Sequence, residues 1–369
     1  MRAGIYHRRK MYSDMKLLII GPSWVGDMLI ANSLFQHLIK QYPGHDLDVL
    51  APAWSQGLLS KMPEVTNILD MPINHGEFLW CKRKQIGNSL SQKHYARAWV
   101  LPNSWKSALI PFWANIPIRS GYQGELRYGL LNDIRKKDTK LYPSLVMQYN
   151  ALAYSVQDLK SLDADSLKEK LHYPYPHLSV SIEDKDNTSK AIALILPSID
   201  FKLPFIAFCP GAEFGPAKCW PHNHYAKLAN QLINDGFIIH LLGSAKDSLI
   251  AQRIIATITQ KNRIFDLTGK TTLAQAVDIL SMASAVVSND SGLMHVAAAL
   301  QRPQVALFGP TSPHFTPPLS KKARVLRLIE GYHPIRQASD SPEGYHYSLI
   351  NLQPSMVYDS LKTLIDQEK

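Results

Sequence analysis

The chain has 369 residues, with 46% hydrophobic and 19% charged. That is enough for about two domains at roughly 150 residues each, and too apolar for a disordered tail. No apolar run reaches the roughly 18 residues a bilayer-spanning helix needs, and Cys81, Cys209 and Cys219 form neither a disulfide framework nor a CxxC pair, as suits a reducing compartment. The net charge of +10 points to anionic partners or, more plainly, to solubility. Its excess leans toward the N-terminal half, with 15 basic against 9 acidic residues from Lys16 to Lys140 and 17 against 14 from Asp186 to Lys369.

Residues 1–14 are polar and contain Arg2, Arg8, Arg9 and Lys10 without a following apolar h-region, so they read as a disordered extension rather than a secretion signal. Met15 is a candidate start. Leu17 to Ile20 reads as a buried strand ended by Gly21, and Met28 to Tyr42 carries apolar residues at helical spacing. Pro43-Gly44 stops that helix, Leu47 to Ala51 returns as a strand, and Ala98 to Leu101 repeats the pattern before a helical stretch from Ser104. Strand, loop, helix, strand is the opening of a parallel α/β unit.

Asp158 to Leu171 reads as a charged surface helix, and Tyr173 to Pro176 as extended. Glu183 to Asn187 is the most polar stretch, which puts the expected domain boundary between 185 and 186. A second start follows: strand Phe205 to Cys209, helix Tyr225 to Asp235 closed by Gly236, strand Phe237 to Leu242, and strands at Ala285 to Val287 and Val305 to Phe308. Ser355 to Gln367 is a short amphipathic helix. The expected fold is α/β, two Rossmann-like domains facing each other over a cleft. Ligands in such sheets bind beyond the C-terminal strand ends, here the loops after Ile20, Cys209 and Val287.

Three motifs lie on those loops. In Gly26-Asp27-Met28, Asp27 is either a helix N-cap or a general base, provided burial lifts its pKa toward working pH. Pro210 to Pro221 is Gly/Pro-rich and holds Lys218; small residues allow close backbone approach, and a lysine supplies a point charge for phosphate. Asn289-Asp290-Ser291-Gly292 opens a helix that carries His295 one turn in. A helix N-terminus with free N–H groups suits a diphosphate, and Asp290 either caps that helix or holds a ligand hydroxyl.

Other signals fail. Gly269-Lys270-Thr271 lacks the upstream glycine of a P-loop, and no G-x-G-x-x-G follows either opening strand. The D-x-D strings Asp46/Asp48, Asp163/Asp165 and Asp184/Asp186 stand away from these loops, and no zinc spacing occurs, so no metal is assigned. No RNP, helix-turn-helix or zinc pattern supports nucleic-acid binding. Lys82-Arg83-Lys84, Lys106, Arg119 and Arg127, with Trp105, Phe112 and Trp113 among them, suit either a peripheral membrane or lipid-headgroup contact or core aromatics beneath a solvated basic face.

Gly21 to Asp27, Pro210 to Pro221 and Asn289 to Ala299 together resemble the bacterial lipopolysaccharide heptosyltransferases of glycosyltransferase family 9. Ala51 to Trp54, Leu101 to Ser104, Arg127 to Asp133 and Gly309 to Pro313 agree with it, and the likeness runs from about Met15 to Ile365. The resemblance implies a GT-B fold and inverting transfer of L-glycero-D-manno-heptose from ADP-heptose. The branch it matches best adds that sugar to the first heptose of the inner core, so the acceptor would be heptosyl-Kdo2-lipid A; the alternative is a member adding the first or third core heptose. It implies a cytoplasmic enzyme in peripheral contact with the inner membrane, with no cofactor. By resemblance Asp27 is the catalytic base, and Lys218, Asp290, Ser291, Gly292 and His295 bind the donor. Glu213 and Phe214 stand where relatives adding the first heptose carry hydroxyl residues, and Asp247 would meet the ribose. The basic residues Lys82, Arg83, Lys84, Lys106, Arg119 and Arg127 would meet the acceptor's carboxylates and phosphates. A sugar-nucleotide epimerase of the same two-domain fold is a weaker option.

Overall fold

The computed structural model describes residues 15–73, 76–160, 173–333 and 335–368. The chain divides into two compact units between Pro176 and His177.

The first unit is a six-stranded, all-parallel sheet. Its strands are β1 (Lys16–Ile20), β2 (Asp46–Ala51), β3 (Asn67–Asp70), β4 (Tyr95–Val100), β5 (Ile118–Tyr122) and β6 (Asp133–Arg135), in the order β3-β2-β1-β4-β5-β6. This is the doubly wound order, and it reverses direction at β1 and β4, where such sheets bind ligands. β1 is covered on both faces, so Leu17 to Ile20 are all buried, as a central parallel strand requires. Ile20 pairs with Leu50 on one side and Val100 on the other, so the loops after β1 and β4 leave the sheet side by side. Gly21 makes the tight exit: a Cβ there would stand 2.7 Å from the Met28 side chain. The helix Val25–Gln41 then packs Met28, Leu29, Leu34, Phe35 and Leu38 onto the sheet. Asp48 is a brace inside β2, accepting hydrogen bonds from Tyr95 Oη at 2.6 Å and Asn67 Nδ2 at 2.8 Å.

The second unit repeats the plan with β7 (Phe205–Cys209), β8 (Ile238–Leu241), β9 (Ile264–Asp266), β10 (Ala285–Asn289), β11 (Gln304–Leu307) and β12 (Ala323–Leu326). The order β12-β11-β10-β7-β8-β9 puts its reversal at β7 and β10, which are paired through Phe208 and Val287. The helix His222–Asn234 and the C-terminal helix Pro354–Asp366 pack on each other. Val357, Leu361 and Leu364 of the latter are buried, each worth about 1.5–3 kcal/mol over exposure. Trp220 is buried beneath them and donates Nε1–H to the Leu352 carbonyl at 2.8 Å.

The polar run at Glu183 to Asn187, expected to hold the domain boundary, lies inside the helix Ile182–Ile195. The expected boundary between 185 and 186 therefore falls at the first turn of this helix, and the units divide between Pro176 and His177. Ser181 and Asp184 form a capping box there, and Thr188 donates to Asp278 at 2.7 Å on the neighbouring helix Leu273–Met282. The run is polar because it begins a helix with one solvated face, not because it is a linker. Of the helix expected over 158–171, Val156–Lys160 is helical; the rest, with Asp163 and Asp165, lies outside the described residues, as does the extension at 1–14. Among the described residues no helix is long and apolar enough to cross a membrane.

Candidate functional site

In the first unit Asp27 is not the helix N-cap. Trp24 takes that position without a side-chain cap, and Asp27 sits in the first turn of Val25–Gln41. The turn's partial positive charge favours a carboxylate, but burial outweighs it and pushes Asp27 from 3.8 up to about 6. Among the described residues its carboxylate has no hydrogen-bond or ion-pair partner. The result is a base ionised at neutral pH yet far more proton-hungry than a solvated aspartate.

The helix Leu145–Ala151 packs against Val25–Gln41 and is tied to it by polar contacts. Asn150 Nδ2 donates to Ser33 Oγ at 2.9 Å, Asn150 Oδ1 lies 3.1 Å from His37 Nδ1, and Tyr154 Oη lies 2.5 Å from His37 Nε2. These fix Tyr149, a buried ring whose hydroxyl is held well above its usual range by burial and then by the charge of Asp27. No motif in the sequence marks Tyr149; only the packing of two helices more than a hundred residues apart brings it there.

Beyond the C-terminal ends of β1, β2 and β4 lies a cavity of about 360 Å³. Ser23, Asn103 and Ser104 line it together with Arg83, Lys106 and Glu125. Of the six basic residues expected at the acceptor, Arg83 and Lys106 reach it. Lys82 and Lys84 are exposed on the helix Trp80–Ser91. Arg119 and Arg127 are spent elsewhere. Arg119 donates to the carbonyls of Leu130 at 2.6 Å and Ile116 at 2.5 Å. Arg127 is buried, donating to the carbonyls of Pro102 at 2.7 Å and of Tyr122. Burial lowers Arg127 to about 10, which leaves it cationic at neutral pH. It braces the Pro102 loop from beneath. Glu125 braces the loop from above, accepting from Trp105 N at 2.9 Å and donating its own N–H to the Asn103 carbonyl at 3.1 Å.

In the second unit the loop after β7 and the turn after β10 meet. Asn289 stitches them, accepting from Trp220 N at 3.0 Å and donating to the Pro210 carbonyl at 2.6 Å. This holds Lys218 with its Nζ 2.5 Å from Asp290 Oδ2. Thr311, in the turn after β11, donates to the same oxygen at 2.7 Å. Asp290 is thus engaged by a side chain on each flanking loop and does not cap the helix. Ser291 is the N-cap of Gly292–Ala299 and makes no side-chain cap. His295 is buried, and desolvation with Lys218 nearby, against the opposing pull of Asp290, lowers it to about 4; it is neutral at pH 7. Phe214 lies 5.7 Å from Lys218 Nζ and 5.4 Å from the Arg336 guanidinium. Arg336 carries no sequence signal, because it comes from a distant loop.

Glu213 and Asp247 fall in a separate set, lining a cavity of about 560 Å³ with Lys246, Arg253 and Tyr345. Glu213 pairs with Lys246 at 2.5 Å on the surface. The Asp247 carboxylate caps its own helical turn, accepting from Ser244 N at 2.7 Å and Ser244 Oγ at 2.9 Å. A Cβ at Gly211 or Gly243 would collide with it, at 2.1 and 2.7 Å.

The sequence model of glycosyltransferase family 9 (heptosyltransferase) matches residues 83–346. The chain is similar to lipopolysaccharide heptosyltransferase 2 of Salmonella typhimurium, 51% identical over 96% of this chain and 99% of the relative. It is similar to the protein of the same name from Escherichia coli, 50% identical over 96% and 100%. The solved structure of E. coli ADP-heptose lps heptosyltransferase II superposes with a TM-score of 0.84 at 49% identity, over 96% of this chain and 99% of that one.

Proposed function

The chain belongs to glycosyltransferase family 9, the heptosyltransferases, and from that membership we propose that it transfers L-glycero-D-manno-heptose from ADP-heptose to the first heptose of the lipopolysaccharide inner core, inverting the anomeric centre. Near-full-length identity to relatives named lipopolysaccharide heptosyltransferase 2 supports the choice of sugar and acceptor. The observation that carries the chemistry is Asp27, a half-buried carboxylate in the first helical turn after β1, without a partner among the described residues and with its pKa raised to about 6.

In this reading the acceptor hydroxyl gives its proton to Asp27 as its oxygen attacks the anomeric carbon. The carbon–oxygen bond to ADP breaks from the opposite face, and ADP leaves with the bonding pair. Lys218 and the first N–H groups of Gly292–Ala299 offset the charge that builds on the diphosphate, with Asp290 orienting Lys218. Neutral His295 offers a hydrogen bond without adding a charge. Ser291 and Gly292 would give backbone contacts to the donor, and Glu213 and Asp247 would stand beside its nucleoside. Arg83 and Lys106, at the cavity in the first unit, would face the acidic core sugars. The enzyme would work in the cytoplasm at the inner face of the inner membrane, where its lipid acceptor is presented; the +10 net charge supports an anionic partner.

The test is transfer from ADP-heptose to purified heptosyl-Kdo2-lipid A, read by mass spectrometry. The acceptor should gain one heptose, and Asp27→Ala should slow this by about 10²- to 10⁴-fold while ADP-heptose still binds. An unchanged acceptor mass with the wild-type protein would refute the proposal.

A further inference from the structure

Among the described residues that line the 360 Å³ cavity of the first unit, Glu125 is the one acid, against two bases, Arg83 and Lys106. The bases spend much of their donor capacity on the protein itself. Arg83 donates to the carbonyls of Phe78 at 2.6 Å, Glu77 at 3.1 Å and Lys106 at 3.4 Å. Lys106 Nζ donates to the Glu77 carbonyl at 3.3 Å. Neither base forms an ion pair with Glu125.

A different set of groups on the cavity wall keeps its bonding capacity. Glu125 commits one carboxylate oxygen, Oε2, to Trp105 N at 2.9 Å. Its other oxygen, and the side chains of Ser23, Asn103 and Ser104, make no hydrogen bond among the described residues. Two hydroxyls and an amide both donate and accept, and an ionised carboxylate accepts. A neutral polyhydroxy sugar satisfies such a set. A sugar that carries its own carboxylate does not, because like charges brought together in a site repel.

The chain holds Glu125 in place rather than leaving it to swing. Its N–H donates to the Asn103 carbonyl at 3.1 Å. Gly124 has a φ of +47° and lies so close to that carbonyl that a Cβ would stand 2.3 Å from its oxygen. Arg127, close enough to feel the Glu125 charge, donates to the Pro102 and Tyr122 carbonyls instead of to the carboxylate. The negative charge at the cavity is therefore fixed in position and not cancelled by a direct partner.

We infer that Glu125 selects the acceptor. Its second oxygen receives hydroxyls of a neutral acceptor sugar, and its charge turns away an acceptor whose receiving sugar bears a carboxylate. The inference rests on the proposed activity and deepens it, naming the residue that separates the heptose-bearing acceptor from the bare one. The two walls divide the work: Arg83 and Lys106 face the acidic sugars, and Glu125 with Asn103 and Ser104 faces the neutral one. Specificity is a difference of two free energies, and an element that repels the wrong partner raises it.

Glu125→Gln tests it, because the amide oxygen still accepts from Trp105 N while the charge is gone. kcat/KM is measured with Kdo2-lipid A bare and carrying one heptose. The wild-type preference for the heptose-bearing acceptor should fall at least about tenfold in Glu125→Gln, with the melting temperature and the KM for ADP-heptose unchanged. Glu125→Asp keeps the charge and should keep the preference within about threefold of wild type. Inhibition by two soluble competitors, a methyl heptoside and a methyl glycoside of Kdo, reads the same ratio without turnover. An unchanged preference in Glu125→Gln, or an equal loss with both acceptors, would overturn the inference and leave the proposed activity standing. Wild-type transfer to neither acceptor, or to the bare one alone, would overturn the proposed activity and the inference with it.

Discussion

Lys218 Nζ and Thr311 Oγ1 converge on one oxygen of Asp290, at 2.5 and 2.7 Å. Three loops, after β7, β10 and β11, are thereby locked at one carboxylate. Removing one partner of a largely buried ion pair strands the other charge, at a cost of about 3–5 kcal/mol when burial is complete. Here Thr311 still donates to Asp290, so Lys218→Met should lower stability by about 2–3 kcal/mol. It should also weaken ADP-heptose binding. Thermal melts with and without donor, with calorimetric titration, read both; an unchanged melt would mean the pair contributes nothing to holding these loops.

Asp27 couples activity against stability. Its folded pKa of about 6 lies above the unfolded 3.8, so folding favours the protonated form. The stability this group contributes is fully present below pH 3.8 and is lost as pH rises through about 6. The difference is at most about 3 kcal/mol. Asp27→Asn should therefore stabilise the protein at pH 8 by up to that amount, match wild type below pH 4, and abolish most turnover. Denaturant unfolding at both pH values decides; a destabilised Asn variant at pH 8 would contradict the account of Asp27 as a desolvated charge.

The same desolvation sets the acid limb of activity. kcat/KM should rise with pH through about 6 as Asp27 ionises. Tyr149→Phe keeps the ring beside Asp27 and should leave this limb in place. Tyr149→Ala admits water and should move it down toward 3.8. A limb that stays at 6 in the Ala variant would assign the shift to some other feature.

His240 lies in β8 among Phe201, Phe205 and Phe265, stacked on Phe205 at 4.1 Å. Neither ring nitrogen has a hydrogen-bond partner among the described residues, and burial lowers it to about 3. Because its folded pKa lies below the unfolded 6.5, the stability it supports is present above pH 6.5 and drains as pH falls toward 3. His240→Leu should leave stability at pH 7.5 within about 1.5 kcal/mol and flatten the acid decline. Unfolding midpoints from pH 7.5 to 4 check it: parallel declines in both proteins would exclude His240 as a source of acid sensitivity.

The strand-ending loops were legible because buried parallel strands are written as short apolar runs closed by glycine or proline. Leu17 to Gly21 and Phe205 to Gly211 both follow that rule. The motifs on those loops could be located by position alone. What side chains do there was less legible, because burial is decided by distant residues. Arg127 reads as a surface cation, yet it is buried under Pro102 with its donors on carbonyls. Lys82, Arg83 and Lys84 read as one cluster, yet a helix turns the middle one inward. Asp247 also caps its own helical turn through Oδ2, a local role that its sequence position does not show. The polar helix from Ile182 imitates a linker because a solvated helix face and a linker share a composition.

The most direct test of the proposed activity is ADP release from ADP-heptose with two purified acceptors side by side, Kdo2-lipid A bare and Kdo2-lipid A carrying one heptose. Release should occur with the heptose-bearing acceptor alone and be lost in Asp27→Asn. Release with the bare acceptor alone would contradict the second-heptose assignment, and undiminished release by Asp27→Asn would contradict the mechanism.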